Sequence, residues 1–153
     1  MTVIDKVDLK KLYEIDDYLW IQETVKLLKE NKFNDLDLDN LIEELDDLGR
    51  ERKHSVENLL KQVIIHLLLL QYWQKEYNYN ASHWRGEIRT FRQDLELKLT
   101  TNLQNYLTTN LEKIYQKGLR IAMDKTELNS SVFPPKCPYT LEQLLNEDWF
   151  PHN

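Results

Sequence analysis

The sequence predicts an all-α fold: a single-domain helical bundle around one long central helix, with a Pro-rich extended segment and a short terminal helix at the C-terminal end. Apolar residues recur mostly at the spacing of helices, and the β-branched alternation typical of strands is not found. Only 3 Gly and 4 Pro occur, so turns must be few. A chain of 153 residues can bury a core of its own, so we predict one domain over residues 1–153.

The first helix is predicted from about Asp16 to Glu30. Its apolar face is formed by residues at helical spacing, with Trp20 and Leu27 widening it: Tyr18, Ile21, Val25 and Leu28. The Asn- and Asp-rich stretch that follows favours turns and helix caps. Asp35 or Asp37 is the candidate N-cap of the next helix.

A long second helix is predicted over residues 38–70, with Gly49 inside it. Gly49 could instead be a C-cap, but Asp46 and Asp47 would then lie at a helix C-terminus, where negative charge is unfavourable. The apolar stripe continues in phase on both sides of the glycine, and Asp46 can pair with Arg50 at i+4. We therefore favour one continuous helix, at a cost of about 1 kcal/mol for the glycine.

The second half of this helix is predicted to be the centre of the bundle. From Val63 to Leu70 it is apolar on all sides, which indicates that other helices surround it. A third helix is predicted to begin at Ser82 and to place Trp84 and Leu95 on its apolar face.

Two capping boxes indicate where the last helices begin. Thr109 with Glu112 predicts the start of a fourth helix, so the polar stretch from Thr100 is predicted to interrupt the helices. The Pro-studded segment after Asn129 cannot be helical. Thr140 with Gln143 predicts a short final helix, over residues 141–146.

Composition and charge disfavour several classes of protein. The net charge of −6 opposes loose binding to nucleic acid. A single cysteine excludes an internal disulfide. The longest apolar run falls far short of the roughly 20 residues of a membrane span, and the first residues show no signal-peptide core. We therefore predict a cytoplasmic protein that does not bind membranes.

Three segments of the chain carry a resemblance to a known family: residues 13–73, the block SHWRGEIRTFRQDLELKL and the closing segment FPPKCPYTLEQLLNEDWFP. They resemble the bacterial family defined by domain of unknown function twenty-nine, the second segment its tryptophan–arginine block and the third its closing motif. The order and spacing of the segments are those of the family, and together they cover nearly the whole chain. The resemblance implies an all-α soluble domain with no established activity, cofactor or catalytic residues. The chain departs from the family pattern between Thr100 and Asn110, where Asn and Thr replace small or basic residues.

The histidines do not complete a catalytic or metal-binding set. Glu51 and His54 have the spacing of metal ligands on a helix, but a di-metal bundle needs a second such pair and two further glutamates. Arg50 and His54 are too close for the Arg-x(4–6)-His motif of helical ribonuclease toxins. His66 is interpreted as a buried neutral histidine, with a pH-sensitive or catalytic base as the alternative. We predict no metal, no cofactor and no catalytic residue.

Cys137 is interpreted as a packing residue. A cysteine–proline pair can ligate haem weakly and a lone thiol can sense redox state. Only Lys136 lies close enough in sequence to lower the thiol pKa.

Two stripes of charge lie beside apolar faces. Arg85, Arg89 and Arg92 follow one another at i, i+4 and i+7 on the third helix. The same spacing on the long helix aligns three carboxylates, near Arg50: Asp39, Glu43 and Asp46. We interpret the stripes as partners in structural charge pairs, since guanidinium geometry suits carboxylates. The alternative is an anion or RNA site with His83 and Trp84 beside the arginines.

Aromatic residues cluster at the turn that follows the long helix: Tyr72, Trp73, Tyr77, Tyr79 and Trp84. They either fill the end of the bundle or, if exposed, mark a binding surface. Because this aromatic and arginine content comes without a catalytic set, we predict a non-enzymatic protein-interaction module, with a protein partner or a second copy of the chain as ligand. Nucleic-acid binding through the arginines is the alternative.

Overall fold

The computed structural model describes residues 6–152 and confirms the all-α prediction. This part of the chain contains no β-strand, and three short 3₁₀ turns join some of its helices. Its helices are α1 (Lys6–Ile15), α2 (Asp17–Lys29), α3 (Leu38–Tyr72), α4 (Tyr77–Lys98), α5 (Thr101–Thr126) and α6 (Leu141–Leu145).

The chain divides into two compact units, the first ending at Glu51 and the second beginning at Arg52. We call them the N-terminal unit and the C-terminal unit. The prediction of a single domain stays a prediction.

Helix α3 is continuous through Gly49, as predicted. It extends over 35 residues from Leu38 to Tyr72. A Cβ atom added at Gly49 would meet no atom within 4 Å, so the glycine is not required by close packing. The prediction that the far end of the helix is enclosed is also confirmed, since every residue from Val63 to Leu70 is buried.

The N-terminal unit consists of α1, α2 and the first turns of α3. Asp16 caps α2 by accepting a hydrogen bond from the backbone N–H of Leu19 at 3.0 Å, close to the predicted helix start. Tyr13 packs edge-on against Trp20, with ring centroids 4.9 Å apart. Trp20 Nε1 donates to the buried carboxylate of Asp37 at 3.3 Å, which joins α2 to the start of α3. Helix α1 was not predicted.

The C-terminal unit is a bundle around the second half of α3. Buried side chains of α4, α5 and α6 pack against the apolar residues of α3 in one core, including Ile88, Ile114 and Leu144. Helices α3 and α5 approach closely at Gly118, where an added Cβ atom would lie 3.2 Å from Cγ2 of Ile64.

Two predicted helix starts were wrong. Helix α4 begins at Tyr77 rather than at Ser82, directly after a 3₁₀ turn. Helix α5 begins after Thr100, whose side chain accepts from the N–H of Leu103 at 3.2 Å. Thr109 lies inside α5 and donates to the carbonyl of Asn105 at 3.0 Å. This bond to the preceding turn satisfies the hydroxyl group within the helix, so Thr109 does not act as a cap.

We call residues 127–152 the C-terminal segment. Side chains of α5 hold it by hydrogen bonds to its backbone. Tyr115 donates its hydroxyl proton to the carbonyl of Pro134 at 2.6 Å, and the Gln116 amide donates to that of Pro135 at 2.7 Å. The predicted capping box is confirmed: the N–H of Gln143 donates to Thr140 Oγ1 at 3.1 Å, and Gln143 Oε1 accepts from the N–H of Thr140 at 3.0 Å.

Candidate functional site

Arg92 is buried and binds the backbone of the C-terminal segment. Its side chain donates to the carbonyl oxygens of Leu144 at 2.8 Å, Trp149 at 2.6 Å and Gln143 at 3.1 Å. The guanidinium carbon lies 5.3 Å from the ring centroid of Phe150. Burial and, to a smaller extent, the nearby positive charge of Arg89 lower the pKa of Arg92 to about 10. Since the residue is only 2% exposed, it is not free to bind an anion from solvent.

Arg89 is exposed and forms ion pairs with the same segment. Its Nη1 lies 3.2 Å from Glu147 Oε1 and 3.4 Å from Asp148 Oδ1. Hydrogen bonds to Glu147 and then to Asp148 raise the pKa of Arg89. Gln93, one turn along α4, donates to Glu147 at 2.7 Å.

Arg85 and His83 are exposed near the start of α4. Arg85 Nη1 donates to the hydroxyl oxygen of Tyr77 at 3.3 Å, and its guanidinium carbon lies 5.9 Å from the Tyr77 ring centroid. The three arginines of the predicted stripe therefore have different environments, and Arg85 is the member with the fewest hydrogen bonds.

The aromatic cluster mostly packs within the bundle. Trp84 is buried and stacks on Trp73, with ring centroids 5.8 Å apart and an interplanar angle of 16°. Tyr72 packs edge-on against Phe133, with centroids 5.5 Å apart. Tyr79 is exposed. These contacts agree with the interpretation that the cluster fills the end of the bundle.

The charge pairs differ from those predicted between the two stripes. Arg89 pairs with carboxylates of the C-terminal segment, whereas Asp39 lies 3.6 Å from Lys10 Nζ. Arg50 pairs with Asp47 at i−3 instead of with Asp46 at i−4. Glu43 and Asp46 are exposed on α3. Each of these pairs lies within one unit. On a helix surface the residues at i−3 and i−4 are both neighbours, so Arg50 can pair with Asp47 as readily as with Asp46.

The remaining candidate groups are separate from one another. Glu51 is exposed, and His54 Nδ1 lies 3.9 Å from Glu57 Oε2. Glu57 also lies 3.8 Å from Lys117 Nζ and accepts from the Tyr106 hydroxyl at 3.3 Å. Over residues 6–152, no group of three or more His, Cys, Asp and Glu residues is arranged to hold a metal ion.

His66 and Cys137 are both in environments that disfavour their charged forms. Burial lowers the pKa of His66, although its Nδ1 lies 2.7 Å from the carbonyl oxygen of Gln62. The His66 ring also packs on Phe91, with centroids 5.3 Å apart. Burial raises the pKa of Cys137 to about 11, and its thiol donates to the carbonyl of Tyr139 at 3.3 Å.

A groove in the N-terminal unit was missed by the sequence analysis. It lies between α2 and the first turns of α3, and its volume is about 490 Å³. We call it the α2/α3 groove; apolar side chains and three carboxylates form most of its lining: Trp20, Ile21, Val25, Leu28, Leu41, Leu45, Leu48, Glu44, Asp47 and Glu51.

The apolar face predicted for the first helix is largely exposed. Tyr18, Ile21, Val25 and Leu28 are all exposed, and Leu45 on α3 has 60% of its surface accessible. Of the 14 large apolar residues that are exposed in the described part of the chain, 11 lie between residues 15 and 48. Helical periodicity shows that these residues share one face of the helix. Periodicity cannot distinguish a face that packs inside the protein from one that is exposed.

Tyr13 fixes one carboxylate of this groove. Its hydroxyl group donates to Glu44 Oε1 at 2.5 Å. This hydrogen bond, together with burial and the negative charge of Glu44, raises the pKa of Tyr13 to about 12. Glu44 therefore has a protein partner, whereas Glu51 is exposed on the next turns of α3.

The family described as domain of unknown function DUF29 matches residues 12–150, and the chain belongs to this family. No curated protein and no solved structure matches the chain. No helix in the described ranges combines the length and apolar composition that a membrane crossing requires.

Proposed function

We propose that the chain is a non-enzymatic protein-interaction module that binds an α-helix of a partner protein in the α2/α3 groove. The observation that carries the proposal is the concentration of exposed apolar residues between residues 15 and 48. Contiguous exposed apolar surface on a folded protein is typical of an interaction site. Two helices with apolar side chains facing an open groove are a common receptor for a third helix.

The environments of the titratable groups support a non-enzymatic role. His66 and Cys137, whose pKa values are shifted, lie in the C-terminal unit and pack against Phe91 and beside Tyr139 respectively. In each case burial is the main cause of the shift. Burial of Cys137 disfavours the thiolate that a nucleophile would use. His66 is only 8% exposed, so a substrate has little access to its ring.

The environments of the arginines favour the groove over the arginine stripe as the binding surface. The side chain of Arg92 already donates hydrogen bonds to three carbonyl oxygens, and that of Arg89 already pairs with two carboxylates. An anion at this stripe would have to displace Glu147 and Asp148.

A cytoplasmic location stays a prediction from the sequence.

Site-specific photo-cross-linking tests the proposal. A photoreactive benzoylphenylalanine is placed at Val25 or Leu45 in the groove and, as a control, at Leu97 of α4, which is 86% exposed. Cross-linked products formed in living cells are identified by mass spectrometry. We expect the same partner from Val25 and Leu45, cross-linked through a helical segment, and not from Leu97.

Identical products from all three positions, or none from the two groove positions, would overturn the proposal. Cross-linking of both groove positions to a second copy of the chain would support an interaction module and would identify the partner as the chain itself. That result would correspond to the self-association predicted from the sequence.

A further inference from the structure

The α2/α3 groove presents two apolar rows at helical spacing. On α2 the row is Ile21, Val25 and Leu28, at i, i+4 and i+7. The matching row on α3 contains the residues at the same spacing: Leu41, Leu45 and Leu48. Rows of this kind receive the apolar stripe of a further helix, whose anchors repeat at i, i+3, i+4 and i+7.

The charge around the groove is strongly negative. Residues 1–51 contain 15 acidic and 7 basic residues, a net charge of −8, whereas residues 52–153 contain 11 acidic and 13 basic residues, a net charge of +2. Glu44, Asp47 and Glu51 line the groove itself. The negative charge of the whole chain is therefore concentrated in the unit that carries the exposed apolar surface.

We propose that the occupant of the α2/α3 groove is a basic amphipathic helix of a partner protein, an inference that rests on the proposed function. Its apolar stripe packs between the two leucine-containing rows, and its Lys or Arg side chains flank that stripe and face the groove carboxylates. Charge complementarity of this kind accelerates association and selects among apolar helices.

The same charge argues against other occupants. A second copy that docked symmetrically through this groove would bring the carboxylates that line it close to those of the first copy, and each copy carries a net charge of −8 over residues 1–51. Like charges closer than about 10 Å repel with little screening at about 0.1 M salt. An anionic lipid surface would be repelled for the same reason.

Fluorescence anisotropy with the full chain and synthetic peptides tests the inference. The probe is an 18-residue, fluorescein-labelled peptide with leucines at i, i+3, i+4 and i+7 and lysines elsewhere. Its controls are the peptide with glutamate in place of every lysine and a scrambled peptide of the same composition. We expect the lysine peptide to bind at least tenfold more tightly than either control, with affinity that falls as salt is raised from 50 to 300 mM.

Two matched pairs of variants locate the binding. Leu45→Ser should weaken binding of the lysine peptide at least tenfold, whereas Leu97→Ser, at an apolar position on α4 that is even more exposed, should not. The double variant Asp47→Asn/Glu51→Gln should weaken binding at least threefold and reduce its salt dependence, whereas Glu96→Gln should change neither. Circular dichroism confirms that each variant keeps its helix content.

Three results would overturn the inference. They are equal binding of the glutamate or scrambled peptide, equal affinity for Asp47→Asn/Glu51→Gln and the native chain, and a dimer in sedimentation velocity that Leu45→Ser dissociates. The last result would show that a second copy, and not a basic helix, occupies the groove, and it would still agree with an interaction module. Absence of cross-links at Val25 and Leu45 would instead contradict the interaction module itself.

Discussion

Arg92 Nη1 lies 2.6 Å from the carbonyl oxygen of Trp149, a residue 57 positions further along the chain. Together with the bonds to Gln143 and Leu144, this contact joins α4 to the C-terminal segment. The acceptors are backbone groups, two of them in the last turn of α6, where carbonyl oxygens lack partners within the helix and a positive charge is favourable. The guanidinium group supplies several donors in fixed directions, as this arrangement requires.

Replacing Arg92 by methionine should lower the free energy of unfolding by about 2–4 kcal/mol. The substitution leaves the carbonyl oxygens of Leu144 and Trp149 without their Arg92 donors, at roughly 1–3 kcal/mol each, and this is partly offset because a charge no longer has to be buried. Urea denaturation followed by circular dichroism measures the change. Arg89→Gln is the matched control and should lower the free energy of unfolding much less than Arg92→Met, because its ion pairs are exposed. Equal losses for the two variants would contradict the role assigned to Arg92.

Gly49 and Gly118 should respond in opposite directions to larger side chains. Gly49→Ala should raise the free energy of unfolding by about 0.5–1 kcal/mol, because the position is open and alanine favours the helix. Gly118→Val should lower it by about 1–3 kcal/mol or more, since even a Cβ atom there lies 3.2 Å from Ile64. Urea denaturation checks both. Destabilisation by Gly49→Ala would show that the helix bends or packs at that point.

The sequence predicted the C-terminal unit well because its signals are local or continuous. The all-round apolar run from Val63 to Leu70 indicates burial without reference to any partner. The Thr140–Gln143 capping box lies within four residues. The start of α5 could not be predicted in the same way, because the side chain of Thr109 can either cap a helix or bond to the preceding turn.

The candidate site was less predictable, for a physical reason. The apolar periodicity of Ile21, Val25 and Leu45 is the same whether these side chains pack inside the protein or lie on an exposed binding surface. Likewise, the spacing of Arg85, Arg89 and Arg92 reveals a shared face, but not that Arg92 would bind carbonyl oxygens more than 50 residues away. Long-range partners of this kind are set by how the helices pack.

His66 should make the fold less stable as pH falls. Burial lowers its pKa below the ordinary value of 6.5, so between 6.5 and the lower folded value the unfolded chain binds a proton that the folded chain does not. Stability is therefore fully present above about pH 6.5 and decreases as pH drops through this window, by at most about 1.4 kcal/mol per pH unit.

Urea denaturation at pH 7.5 and 5.5 measures this dependence. Carboxylates contribute to the pH dependence of the native chain, so the informative quantity is the difference between the native chain and His66→Gln. We expect the loss between the two pH values to be smaller in His66→Gln. The same loss in both proteins would show that His66 titrates normally.

Cys137 should react slowly with iodoacetamide at pH 8. The thiolate is the reactive form, and burial raises the pKa of this thiol to about 11. We expect alkylation at least tenfold slower than that of glutathione, with a normal rate once the chain is unfolded in urea. Mass spectrometry follows the reaction. A rate in the folded protein equal to that of the unfolded chain would contradict the buried environment.

Leu45→Ser should leave the free energy of unfolding within about 0.5 kcal/mol of the native value, as is usual for exposed positions. Leu68→Ala should lower it by about 2–5 kcal/mol, because Leu68 is fully buried in the core of the C-terminal unit. The two leucines lie on the same helix, so helix propensity does not explain the contrast. A loss of 2 kcal/mol or more at Leu45, measured by urea denaturation, would mean that its side chain is packed inside the protein. The groove would then be part of a core, and a peptide-binding defect of Leu45→Ser could not be assigned to a lost contact with a partner helix.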